Sequence, residues 1–158
     1  MSVKKRVAVG VLSLSAAGLA AIMGYEGYSD TVYIPVPGDV PTVGYGHADP
    51  SMPVGMTITR KQAEQWLKED AGDGERAVRR CVSVPLSQTE FDVYTSFAFN
   101  IGADAFCRST LVKRLNFGDY AGACSELKRW VYVKGRRVQG LVNRREAEYQ
   151  RCMGLTGK

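Results

Sequence analysis

The chain has 158 residues, enough for one domain with a true core or one domain of two small lobes. Its apolar fraction of 45% excludes global disorder, and its net charge of +5 suits a polyanionic partner. The charge is scattered and no Lys/Arg run interleaved with aromatics is present, so nucleic acid is not expected; anionic lipid, a bacterial wall polymer or simple solubility remain as readings of the charge.

The chain begins with the basic stretch MSVKKR and continues into VAVGVLSLSAAGLAAIMG, Val7 to Gly24, which carries no charge. As a helix, those 18 residues would span about 27 Å, just enough for a thin bilayer. Lys4, Lys5 and Arg6 would keep the N-terminus cytoplasmic and send the rest outward. Gly18 and Ala20 offer a small-x-small cleavage site, so a cleaved signal peptide competes with an uncleaved anchor. Cleavage after Ala20 would leave Glu26 six residues from the new terminus, which favours the uncleaved anchor. A buried core helix is a third reading, disfavoured by the basic flank and the apolarity of the run.

Tyr25 to about Ser29 could continue this first helix. TVYIPV and VPTVGYG then read as short strands joined at a PGD turn, giving a small sheet lobe. DPSMPVG, from Asp49 to Gly55, is a loop. Thr59 with Gln62 forms a capping box, and Ala63, Trp66, Leu67, Ala71, Ala77, Val78 and Cys81 follow at helical spacing. That long helix would join two lobes, with Gly72 and Gly74 as weak points. Ser87 and Glu90 repeat the box ahead of a stripe of Phe91, Tyr94, Phe97, Ala98 and Ile101, read as core. RSTLVKRLN and GDYAGACSELKRWV predict two short helices, the second capped by Asp119. A last helix is predicted from a cap at Asn143 to a stop near Gly154.

The four cysteines, Cys81, Cys107, Cys124 and Cys152, lack metal-ligand spacing, and His47 is the single histidine, so no metal site is expected. An even count behind an export signal suggests two disulfides against buried free thiols, and three pairings are open. We expect Cys107–Cys124 and Cys81–Cys152, clamping the helical lobe.

Glycoside hydrolysis needs two polar groups flanking the sugar, one of them an acid that protonates the leaving oxygen. Glu26, beside an apolar helix, is a candidate for that acid; its bland alternative is a solvated glutamate at a helix end. The stretch YEGYSDTVY…GDVPTVGYGH resembles the glutamate–aspartate–threonine signature of phage-type lysozymes, glycoside hydrolase family 24. FDVYTSFAFNIGADAFCRSTLVKRLNFGDYAGACSELKRWV and GLVNRREAEYQRC agree in order, so the resemblance covers residues 25–153. The N-terminal run further resembles the signal-anchor-release segment of one class of phage endolysins, held inactive at the inner membrane and later released to refold.

The resemblance implies an α+β fold: a small β lobe over about 25–56 and a larger helical lobe over about 57–158, joined by a long helix. Residues 1–24 would form an N-terminal helix that can be membrane-inserted. It implies Glu26 as the general acid, and Thr42, before GYGH, as a residue holding the attacking water. Arg144 of the Asn143–Arg144 pair would salt-bridge the glutamate, and Asn100 would face the cleft. Tyr33 and His47 belong to the frame of the sheet lobe, with a structural hydrogen bond favoured for His47. The sequence departs from the family at the aspartate: six residues before Thr42 stands Val36, and the loop is one residue longer. Asp39 is taken as the second carboxylate. Asp30 is its rival, but it lies one turn from Glu26 and on the same face if both are helical, which suits neither side of a sugar.

The implied activity is hydrolysis of the β-1,4 bond between N-acetylmuramic acid and N-acetylglucosamine in peptidoglycan, for host lysis, by a monomer needing no metal or cofactor. The enzyme would be anchored at the periplasmic face of the inner membrane through residues 7–24 and then released to the periplasm. Because Glu26 follows the apolar run by one residue, Tyr25, anchoring would pin it at the membrane boundary, and release would let the run fold as a helix onto the domain and carry Glu26 into place. Collapse of the membrane potential is the expected trigger. Lytic transglycosylation, or a non-catalytic wall-binding or membrane-tethered regulator, are the alternatives.

Overall fold

A computed structural model describes residues 4–155. The chain divides into two compact units: residues 19–72 form one, and residues 73–155 with the N-terminal stretch up to Gly18 form the other.

The smaller unit contains most of helix α1, Ala16–Glu26, followed by strands β1, Ser29–Tyr33, β2, Thr42–Gly44, and β3, His47–Ala48. The strands form an antiparallel sheet in the order β1-β2-β3. Helix α1 stops at Glu26, short of the expected Ser29, because Gly27 takes a positive φ of 71° and turns the chain into β1. Tyr33 pairs with Thr42, so residues 34–41 form a longer connection than the tight PGD turn the sequence suggested. Helix α2, Arg60–Asp70, closes this unit; Thr59 caps it by accepting from the Gln62 N–H at 3.1 Å. Ile22, Val32, Val43, Tyr45, Ala63, Leu67 and Ala71 are its buried apolar side chains.

The larger unit is built from α3, Gly72–Cys81, α4, Gln88–Ile101, α5, Ala103–Cys107, α6, Thr110–Asn116, α7, Tyr120–Glu126, and α8, Gln139–Cys152. The expected long helix is two helices, broken at Ala71 between α2 and α3 next to Gly72. Gly74 has a packing reason: a Cβ there would lie 2.6 Å from the Thr95 carbonyl oxygen. The Ser87–Glu90 capping box of α4 is complete on both sides. Ser109 and Asp119 cap α6 and α7. Helix α8 begins four residues before Asn143, so Asn143 is not its cap. The extra turn of helix follows a hairpin that the sequence reading missed, β4, Tyr132–Val133, with β5, Arg136–Arg137. Lys134 and Gly135, both at positive φ, make its two-residue turn.

Leu12, Val78, Leu86, Phe91, Tyr94, Phe97, Phe106, Leu111, Leu115 and Leu127 belong to one core cluster, with α4 buried along Glu90 to Ala98. Two disulfides close this unit, Cys81–Cys107 and Cys124–Cys152. The expected pairing of Cys107 with Cys124 and Cys81 with Cys152 is therefore corrected. Cys81 ends α3 and Cys107 ends α5, whereas Cys124 lies on α7 and Cys152 ends α8. Tertiary packing brings those ends together, and spacing along the chain carries no trace of it.

The apolar run from Val7 to Gly24 is not one helix here. Val7 makes an antiparallel bridge with Leu86, Val9–Val11 is a 3₁₀ turn, and the chain is extended until α1 begins at Ala16. Among the described residues, no helix is long and apolar enough to cross a membrane. Leu12 is buried in the larger unit's core, and Ile22 is fully buried in the smaller one. The run thus supplies core side chains to both units.

Candidate active site

Glu26 is the last residue of α1 and its side chain is half-buried. The GYGH turn approaches it: a Cβ placed on Gly46 would lie 3.8 Å from Glu26 Oε2, and Gly46 holds a φ of 91°. The second glycine of that motif therefore lets the turn pass beside the carboxylate in a backbone conformation L-residues seldom adopt. Tyr45, almost fully buried, fixes the turn. Its ring lies 5.1 Å from that of Tyr28, and its hydroxyl accepts from Arg60 Nη1 at 3.3 Å. The Arg60 guanidinium also sits 4.1 Å from the Tyr28 ring centroid. Tyr28 follows Glu26 by two residues, so this stack holds the segment just after the acid.

Thr42 opens β2 and is half-buried; its hydroxyl donates to the Val40 carbonyl at 2.9 Å. Tyr33 is its register partner on β1 and is 45% exposed. Asp39 is exposed in the 34–41 connection, held by a turn in which its N–H donates to the Val36 carbonyl at 3.0 Å. Asp30 lies on β1, not on a helix, and accepts from the Thr31 hydroxyl at 2.8 Å. The helical spacing from Glu26 that counted against it as the second carboxylate does not exist.

His47 occupies β3. Its Nδ1 is 2.9 Å from Asp70 Oδ2 at the end of α2, and its ring stacks on Trp66, with centroids 4.5 Å apart and planes 13° apart. Neither partner was singled out as such from sequence. Trp66 and Asp70 are four residues apart, one turn of helix, which is the signal that could have found them.

In the larger unit, Asn100 and Arg144 lie on α4 and α8. Asn100 is exposed, and its side-chain oxygen accepts from Arg145 Nη2. Arg144 is buried; its Nη2 donates to the Ser96 hydroxyl at 3.2 Å and the Ser96 carbonyl at 3.3 Å. The neighbouring Arg145 was not picked out from the sequence, yet it is 1% exposed and tightly held. It donates to the Trp130 carbonyl at 2.9 Å and Glu148 Oε1 at 2.6 Å. Glu148 in turn accepts from the Ser96 hydroxyl at 2.9 Å. The Arg145–Glu148–Ser96–Arg144 network thus fixes α8 against α4 with bonded charges inside the unit. No signal in the sequence separated the packing arginine from its neighbour.

A glutamate ending the first helix, a small sheet with a GYGH turn beside it, and, in the larger unit, the Asn143–Arg144 pair are the features on which the resemblance to phage-type lysozymes rests. The phage lysozyme family model matches residues 23–148. An endolysin of Acyrthosiphon pisum secondary endosymbiont phage 1 is 40% identical over 87% of this chain and 95% of its own length. A SAR-endolysin of Enterobacteria phage PA-2 is 34% identical over 92% of this chain and 88% of its own. The solved endolysin from Escherichia coli O157:H7 phage FAHEc1 superposes with a TM-score of 0.84 at 36% identity, covering 94% of this chain and 98% of that one. The chain belongs to the phage lysozyme family. It is a glycoside hydrolase, a lysozyme of the kind that serves host lysis.

Proposed function

We propose that this enzyme is an endolysin muramidase that hydrolyses the β-1,4 bond between N-acetylmuramic acid and N-acetylglucosamine in peptidoglycan. Glu26 acts as the general acid, Asp39 as the second carboxylate, and Thr42 holds the attacking water. Tyr33, His47, Asn100 and Arg144 are supporting residues. The observation that carries the reading is Glu26 at the end of α1 with the GYGH turn beside it, Gly46 passing within van der Waals reach of its carboxylate. A general acid needs such a fixed position to meet a glycosidic oxygen.

The enzyme acts as a monomer on the periplasmic side. Before release, residues 7–24 anchor it uncleaved in the inner membrane and hold Glu26 at the membrane boundary. Support comes from the SAR-endolysin relatives and from the uncharged run behind a basic flank. The structure then corresponds to the released form.

The test is mass spectrometry of purified peptidoglycan digested by the wild type, Glu26→Gln and Asp39→Asn. Reducing muramic ends are expected from the wild type. Anhydro ends would mean transglycosylation, and no products would mean a non-catalytic wall binder. Loss of products in Glu26→Gln with wall binding unchanged is expected. Normal digestion by Asp39→Asn would remove that residue from the mechanism.

A further inference from the structure

The basic flank that precedes the apolar run is not idle here. Glu90, at the third position of α4, is 1% exposed. Arg6 closes on it with both ends of its guanidinium: Nε to Oε1 at 3.0 Å and Nη2 to Oε2 at 2.9 Å. Lys4 Nζ lies 3.8 Å from the same carboxylate, and Arg6 also stacks 3.5 Å over the Tyr120 ring. Immediately beyond, Val7 and Leu86 exchange two backbone hydrogen bonds of 2.9 Å.

The extended stretch after the 3₁₀ turn is tied down as fully. Arg79 donates to the Leu12 carbonyl, and Gln88 donates to the Ser13 carbonyl at 2.8 Å. Glu75 accepts the Leu14 N–H at 2.9 Å, and Asp92 accepts the Ser15 N–H at 3.0 Å. Side chains of α3 and α4 thus satisfy backbone groups that a bilayer would force into a helix's own ladder. The same residues have two mutually exclusive ways of satisfying their polar backbone.

We infer that Glu90 is the receptor for the N-terminal cations, and that its capture of Arg6 and Lys4 latches residues 4–15 onto the helical unit. The latch stands on the contacts above. Its link to release rests on the anchored reading of the apolar run. In the anchored topology Lys4, Lys5 and Arg6 lie on the cytoplasmic side, while Glu90 is periplasmic. Reaching Glu90 therefore requires the cations themselves to cross. A potential negative inside holds each one back by a factor of about fifty per 100 mV. The number of flanking cations sets how far the membrane must depolarise before the latch can close. Lys5 is exposed and has no ion pair among the described residues, so it adds to that retention without adding to the latch.

The purified full-length chain tests the latch by itself. Amide hydrogen exchange is expected to be slow at Val7 and Leu86 in the wild type. Arg6→Gln should speed exchange at Val7 and lower Tm by several degrees, and adding Glu90→Gln should recover part of that loss, since the stranded buried carboxylate is removed. Fast exchange at Val7 in the wild type, or strictly additive variants, overturns the latch. Fractionation of cells titrated with a protonophore tests the link. Lys5→Gln should leave the membrane at a smaller depolarisation than the wild type, with unchanged Tm. Equal thresholds overturn the charge-crossing account. A wild type that is soluble before any depolarisation overturns both the anchored reading and the link to release, while the exchange and Tm data still decide the latch.

Discussion

Gly18 packs directly on Asp92: a Cβ added at Gly18 would lie 2.6 Å from Asp92 Cγ and 2.8 Å from its Cβ. Asp92 cannot swing aside freely, because it accepts from Ser15 and from Gln88 Nε2. As sequence, Gly18 reads only as one of the small residues that dilute an apolar run. In the fold it is the point where α1 meets α4.

Gly18→Ala is therefore expected to destabilise the folded enzyme by about 1–3 kcal/mol, although alanine is the better helix former. Tm should fall by about 3–10 °C in a thermal melt of the purified protein. A gain in Tm would show that Asp92 relaxes without loss.

The two disulfides differ in access. Cys124 and Cys152 are 2% and 0% exposed, with the Tyr94 hydroxyl 3.8 and 3.3 Å from their sulfurs, whereas Cys81 and Cys107 are half-buried. Mild reductant should open Cys81–Cys107 first, as read by mass-labelling of new thiols. The sequence separations of 26 and 28 residues are nearly equal, so chain entropy assigns each about 3.5 kcal/mol. Serine at both Cys124 and Cys152 should nonetheless cost more than at Cys81 and Cys107, because two hydroxyls would then be buried in the core.

Acid should reach the larger unit partly through Glu90. Burial alone pushes its carboxyl up, but the Arg6 hydrogen bond, the Ser87 N–H and the charges of Arg6 and Lys4 hold it below its usual 4.5. Tyr94 and Tyr120 are the other titratable groups coupled to this ion pair; burial pushes the Tyr94 hydroxyl far up, so it stays neutral. A depressed carboxyl contributes stability above its unfolded value that is lost as pH falls through its folded one. The Glu90 contribution should therefore be complete above its usual 4.5 and be lost progressively as pH falls below it. In Arg6→Gln the partner that holds the carboxyl down is gone and burial works against its charged form, so the Glu90 contribution at neutral pH should shrink and less stability should be lost on acidification. Melts from pH 7 to pH 3 on both proteins read the difference directly.

His47 is held by Asp70 on one side and Trp66 on the other. Its replacement by glutamine should lower Tm by a few degrees through the lost stack and hydrogen bond, while kcat on soluble wall fragments stays within about threefold. A fall in kcat of a hundredfold or more at unchanged Tm would give His47 a direct part in the chemistry.

Local signals survived into the fold wherever the cause is local. Ser87 and Glu90, Thr59 and Asp119 cap the helices they announce, because a cap is decided within four residues. The glutamate, the GYGH turn and the Asn-Arg pair were legible for the same reason, as short motifs in a fixed order. What failed was tertiary in origin. Asn143 reads as a cap but sits inside α8, since the β4–β5 hairpin lets the helix start early. The cysteine pairing depends on which helix ends meet.

By itself, the sequence determined a small sheet lobe, a larger helical lobe and the family to which they belong. The helix it suggested for the whole apolar run outside a bilayer forms only from Ala16 on, because hydropathy is blind to partners. Only the tertiary structure decided that Leu12 is buried in the larger unit and Ile22 in the smaller, that Gly18 must be small, and that Arg6 and Lys4 close on a buried carboxylate 84 residues or more away in sequence. Those outcomes rest on long-range packing and desolvated charge, and neither is written in the neighbours of the residues concerned.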